Sequence, residues 1–173
     1  MPNEAEVNSA VTYQLHVGST TDRPLRAALQ LFAQIASEPA FNELRTKQQL
    51  GYIIFSGVTG AIGSMGFRVL IQSERDPIYL ETRIEAFLDS LKEYIDEMSE
   101  EEFEKNKQSI IAKKEEKPKN LGEETRQFSA SIHDRYYEFG KRESEKHLEG
   151  CLTKETRSNR CEPSSKYDKA RHP

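Results

Sequence analysis

Leu80, Ile84, Phe87, Leu88, Leu91, Ile95 and Met98 fall at offsets 0, 4, 7, 8, 11, 15 and 18, one continuous apolar stripe on a single helical face. A stripe this long needs a broad apolar partner, and the face of a sheet is the surface that fits it. Strands to build that sheet lie upstream. Val11, Tyr13, Leu15 and Val17 alternate with Thr12, Gln14 and His16, which predicts a half-buried strand. Phe67, Val69 and Ile71 alternate in the same way within the stretch 67–72. The run from Tyr52 to Ser56 is nearly all apolar and is expected to be a central strand, covered on both faces. The expected architecture is an α+β, two-layer domain: a mainly antiparallel sheet with helices packed on one face.

Other helices are marked by their ends. Asp22 is a plausible N-cap with Pro24 in the first turn, opening a helix whose apolar face carries Leu25, Ala28, Leu29, Phe32, Ile35 and Ala36. Ser37 and Pro39 are expected to restart a second, shorter helix that carries Phe41, Leu44 and Arg45 and stops at Gly51. Ser99-Glu100-Glu101-Glu102 reads as a capping box for a helix bearing Phe103, Ile110 and Ile111, ending near Pro118. Asn120 can cap another, with Phe128, Ile132 and Tyr136 expected inward, and a short helix is expected from Ser144 to Leu152. Gly57, Gly60, Gly63 and Gly66 recur at every third position. No Gly-Lys-Ser/Thr follows them and no helix opens after them, so a mobile hairpin loop is expected rather than a phosphate loop.

A chain of 173 residues fits one domain with a real core. A net charge of −4 and pI near 5.7 give no electrostatic case for nucleic acid or an anionic membrane as partner. No apolar run approaches the roughly 18 residues of a membrane span. The first residues, Met1-Pro2-Asn3-Glu4-Ala5-Glu6, are acidic and lack an apolar core, so neither a secretory signal nor a transit peptide is expected. Cys151 and Cys161, few and late, argue against a disulfide framework and for a reducing, cytoplasmic setting. Residues 155–173 contain almost nothing to bury beyond Cys161, Tyr167 and Ala170, and are expected to form a disordered tail.

The chemistry-bearing residues are sparse. His16, His133, His147 and His172 show no ligand spacing among themselves or with the cysteines, so no metal site and no catalytic residue is expected on this chain. The charges from Glu100 to Lys119 mix both signs at helical spacing, as in Glu101 and Lys105, and read as a solvated helix face. One arrangement stands apart. In Leu44-Arg45-Thr46-Lys47-Gln48-Gln49-Leu50-Gly51-Tyr52 a helix gives way at once to a strand, placing the Arg45 guanidinium and the Tyr52 phenol at one junction. Two such donors could hold a carbonyl oxygen or a developing oxyanion. They could equally cap a helix end and anchor a strand, and on spacing alone that structural role is favoured.

The residues Ser37-Glu38-Pro39-Ala40-Phe41-Asn42 and Leu44–Gly57 closely resemble the last domain of the insulysin-type zinc metallopeptidases of the pitrilysin family. The resemblance continues through Phe67–Glu74, Tyr79–Leu88 and Lys117–Leu121, and spans residues 3–154. It implies an insulysin-like C-terminal metallopeptidase domain over 1–154, non-catalytic in itself, with Arg45 and Tyr52 as substrate-binding residues that reach the scissile peptide. The partners it implies are a peptide substrate and an N-terminal, zinc-bearing half of the enzyme; self-association into a homo-oligomer stays open. Zinc belongs to the full-length enzyme, and no cofactor is expected on this chain, which lacks the family's His-x-x-Glu-His motif. Two departures are expected to leave the domain incomplete: an edge strand is missing at its start, and Thr156-Arg157-Ser158-Asn159-Arg160-Cys161 does not follow the family pattern. The alternative function is a non-enzymatic interaction module derived from the family.

Overall fold

The computed structural model describes residues 8–133, 137, 139–140, 145–147, 150 and 152. Three strands, β1 (Ser9–Gly18), β2 (Ile53–Ala61) and β3 (Ser64–Ser73), form an antiparallel sheet in the order β1-β3-β2. Alternation decides which side is covered. Met65, Phe67, Val69 and Ile71 of β3 are buried, and the register sets Val11, Tyr13 and Leu15 of β1 directly across from Ile71, Val69 and Phe67. These residues share one face of the sheet.

The helices cover that face. α1 (Arg23–Ala40) opens as its sequence indicates, with Asp22 Oδ1 accepting the Leu25 N–H at 2.9 Å. Its Phe32 ring meets Phe67 edge-on at 5.0 Å. α2 (Pro77–Glu97) buries Leu80, Ile84, Phe87, Leu91 and Ile95, the stripe expected from the sequence. Each such side chain contributes about 1.5–3 kcal/mol by leaving water. α3 (Glu100–Glu115) begins where Ser99 Oγ accepts the Glu102 N–H at 3.2 Å, and buries Phe103 and Ile110. α4 (Leu121–His133) begins under Asn120, whose Oδ1 accepts the Glu123 N–H at 2.9 Å.

Between Pro39 and Gly66 four expectations fail, each for a physical reason. Pro39 does not divide the helix: α1 runs directly into a π-helical segment, Phe41–Lys47, and the Phe41 N–H reaches the carbonyls of Ser37 and Glu38. Pro39 leaves one i→i−4 bond unmade, and the helix continues past it. The helix is ended not by Gly51 but by Gln49, at φ +50°. β2 is an edge strand, with Ile53, Phe55 and Val58 exposed, and the central strand is β3. A short apolar run shows that a strand meets apolar partners, not how many sides are covered. The glycine-rich stretch is no loop: β2 continues to Ala61, and only Ile62 and Gly63 (φ +84°) turn the chain before β3.

On α4, Phe128 and Ile132 are exposed rather than inward, while Ser131 is buried. Tyr136, the cysteines, His172 and the tail 155–173 lie outside the described residues. Of the expected helix from Ser144 to Leu152, residues 145–147, Gly150 and Leu152 are described; the first four are helical and Leu152 is not.

Candidate functional site

The π-helical segment sets up the junction. Its Leu44 and the following Leu50 are almost wholly buried, and they hold the segment down on the core. The Gln48 N–H bonds the Glu43 carbonyl and the Leu50 N–H the Leu44 carbonyl, both at 3.0 Å, so the backbone itself satisfies the helix end. Gly51 passes so close to β3 that an added Cβ would sit 2.1 Å from the Gln72 carbonyl oxygen. Only glycine permits that approach. Tyr52 therefore emerges at a fixed place, one residue before β2.

Arg45 and Tyr52 are brought together. The Arg45 Cζ lies 5.7 Å from the Tyr52 ring centroid and 5.1 Å from that of Phe41, within cation–π range of two aromatic rings. Among the described residues no hydrogen bond or ion pair engages the guanidinium, so its N–H donors are left for a partner. Tyr52 is 82% exposed, which does not suit the strand-anchoring role; Leu50 and Gly51 fill that role. Capping of the helix end by Arg45 is likewise superseded by the backbone bonds just described.

A polar lattice stiffens the segment beside this pair. Gln48 Nε2 donates to Glu43 Oε1 at 2.8 Å, and Gln48 Oε1 accepts from Arg83 Nε of α2 at 2.7 Å. Lys47 Nζ stands 3.0 Å from Glu43 Oε2. The Gln48 hydrogen bond, followed by Lys47, holds the Glu43 carboxyl below its ordinary value. Sequence reasoning singled out Arg45 and Tyr52 but not Phe41, Gln48 or Arg83. The spacing of Phe41 and Arg45, four apart on a helix, was the available signal for the first. Nothing local marks Arg83, which arrives from another element.

The described histidines remain apart. His16 is on the exposed side of β1 as expected, with Nδ1 3.0 Å from Ser64 Oγ. His133 and His147 are exposed. Among the described residues no group of three or more His, Cys, Asp or Glu side chains is placed to hold a metal ion. No helix among them is long and apolar enough to cross a membrane.

The exposed Arg–Tyr junction is thus carried at the edge of a three-stranded antiparallel sheet under helices. Residues 31–129 match the family described as PQQ synthase PqqF-like, C-terminal lobe domain 4, and the chain belongs to that family. It is similar to the insulin-degrading enzyme of Homo sapiens, 43% identical over 155 residues, which is 88% of this chain and 15% of that enzyme. It is also 40% identical over 155 residues to the putative zinc protease mug138 of Schizosaccharomyces pombe, covering 90% of this chain and 16% of that protein. Among solved structures, pitrilysin superposes with a TM-score of 0.77 at 26% identity, over 90% of this chain and 17% of pitrilysin. The mixed α+β architecture expected from the sequence is thus that of pitrilysin-type peptidase domains. The chain spans about one-sixth of the length of these proteins.

Proposed function

We propose that this chain is the substrate-gripping, non-catalytic domain of the C-terminal lobe of an insulysin-like zinc metalloendopeptidase. One observation supports this above the rest: Arg45 lies within cation–π range of two aromatic rings, beside a highly exposed Tyr52, with no hydrogen bond or ion pair among the described residues to occupy its donors. A buried or ion-paired arginine would have spent those donors. In a peptide complex Arg45 and Tyr52 donate to the carbonyl oxygen near the scissile bond, where negative charge develops as the amide is attacked. Rigid donors act there without reorganising, and the Gln48–Glu43–Arg83 lattice supplies the rigidity.

The described residues offer no ligand set for zinc, so the metal is assigned to an N-terminal half carried by another segment. In this reading residues 1–154 form the domain, 155–173 lie outside it, and the assembly works in the cytoplasm. The test mixes the 173-residue chain with the zinc-bearing half of a relative and follows hydrolysis of an unstructured fluorogenic peptide. The chain alone is expected to be inactive and the mixture active. An Arg45→Ala/Tyr52→Phe double variant that leaves the mixture fully active overturns the gripping role. That result would favour an interaction module that only assembles.

A further inference from the structure

The hairpin register decides which backbone groups of β2 go unused. Its turn, Ile62 and Gly63, is closed by Ala61 facing Ser64. A pair flanking a two-residue turn must exchange both of its N–H···O=C bonds, because the other antiparallel pattern would need a bond between the two turn residues. Pairing then runs without a bulge back to Ile53 opposite Gln72. Ile53, Phe55, Gly57, Thr59 and Ala61 therefore direct their backbone groups to β3. Ile54, Ser56, Val58 and Gly60 direct theirs to the open side. Among the described residues no hydrogen bond reaches these four from that side.

Edge strands in soluble proteins are usually blunted by lysine, proline or a bulge. β2, Ile-Ile-Phe-Ser-Gly-Val-Thr-Gly-Ala, has none of these. The opposite edge differs: β1 breaks register between His16 and Gly18 and turns Thr12, Gln14 and His16 outward. On β2 the outward side chains are Ile53 and Phe55, the latter 48% exposed and steadied by the Arg68 Cζ at 5.3 Å from its ring. The strand also begins at the residue after Tyr52, so its open edge is continuous with the Arg45–Tyr52 junction.

We propose that the open edge of β2 is a strand-addition site for an extended peptide. The peptide pairs with Ile54, Ser56, Val58 and Gly60, and its alternate side chains lie beside Ile53 and Phe55. The choice of a peptide over a second copy of this chain, and of which end lies toward Arg45, rests on the gripping function proposed above. Main-chain pairing gives affinity with little sequence demand, and the apolar shelf favours ligands with apolar side chains at every second position.

The test uses the 173-residue chain and a fluorescein-labelled eight-residue peptide of alternating valine and threonine. Amide hydrogen exchange is read with and without saturating peptide. Protection is expected at Ile54, Ser56, Val58 and Gly60. N-methylation of two alternate amides on the pairing edge of the peptide should weaken binding at least about tenfold, as expected for two lost ladder bonds. N-methylation on the other edge should change it little. Ser56→Pro, which removes an outward N–H and leaves the β3 ladder intact, should weaken binding as well. Absence of binding, binding without protection at these amides, or equal effects of the two methylation patterns each overturns the proposal. So does protection of the same amides by concentration-dependent self-association without peptide. The two readings fail separately. Loss of hydrolysis in the Arg45→Ala/Tyr52→Phe mixture, with no protection on β2, removes the strand-addition site and keeps the grip.

Discussion

Arg26 and Arg45 occupy the two ends of one continuous helical stretch and are used in opposite ways. Arg26 is buried, its Nε 2.5 Å from Glu145 Oε1 and its Nη1 donating to the Thr20 carbonyl at 2.5 Å. The Nε approach is a charge contact without the angle of a hydrogen bond. Lys114 adds a second cation at 3.1 Å from Glu145 Oε2 and also donates to Gln30 at 2.6 Å. This cluster ties α1 and α3 to the segment bearing Glu145. Arg45 is exposed and lies within cation–π range of Phe41 and Tyr52. Burial with a carboxylate makes an arginine part of the fold; exposure beside aromatic rings positions one without consuming its donors.

The comparison breaks most visibly at Arg26. Arg26→Met leaves the buried Glu145 carboxylate with Lys114 and the Gln30 amide in place of two cations, and should cost about 3 kcal/mol or more in a urea melt. Pairing it with Glu145→Leu should recover much of the loss, since apolar packing tolerates the same site. Arg45→Ala should leave the melt within about 0.5 kcal/mol. In the reconstituted mixture the same substitution should lower kcat by about 10²–10³. If both arginines changed stability and neither changed turnover, the division drawn here would collapse.

Much of the fold could be anticipated from sequence, but unevenly. Asp22, Ser99 and Asn120 announced their helices because an N-cap is a local bond, made within three residues. The stripe from Leu80 to Met98 and the alternation of Val11 to Val17 also survived, since each is a property of one element. Features created by two elements together did not. The edge position of β2 depends on strand order, and the burial of Arg26 depends on Glu145 far along the chain. Phe128 and Ile132 share a helical side that stays exposed among the described residues, which periodicity cannot reveal. The Arg45–Tyr52 pairing was visible from the short helix–strand connection; its third member, Phe41, required the π-helical continuation through Pro39.

Phe41 offers a finer cut. Phe41→Leu keeps apolar bulk and removes one aromatic face from Arg45, worth about 0.5–1 kcal/mol at an exposed site. Turnover of the mixture should fall about two- to fivefold, and Phe41→Tyr should restore it. An unchanged rate in Phe41→Leu would mean that Tyr52 alone positions the guanidinium.

The smallest effect is expected from the lattice beside the junction. The folded-state pKa of Glu43 is lowered, first by the Gln48 hydrogen bond and then by Lys47. A lowered carboxylate pKa contributes stability above the unfolded value, near 4.3, and that contribution is lost as pH falls through the folded value. Glu43→Gln should therefore flatten the acid limb of the stability profile slightly while leaving neutral pH nearly unchanged, because the group is largely solvated. Arg45→Ala should not alter that limb, since Glu43 is engaged by Gln48 and Lys47 and Arg45 by Phe41 and Tyr52. A shared change in the acid limb would show that the exposed arginine and the polar lattice titrate as one unit. The junction would then be a single electrostatic cluster, closer in kind to the buried site of Arg26 than its exposure indicates.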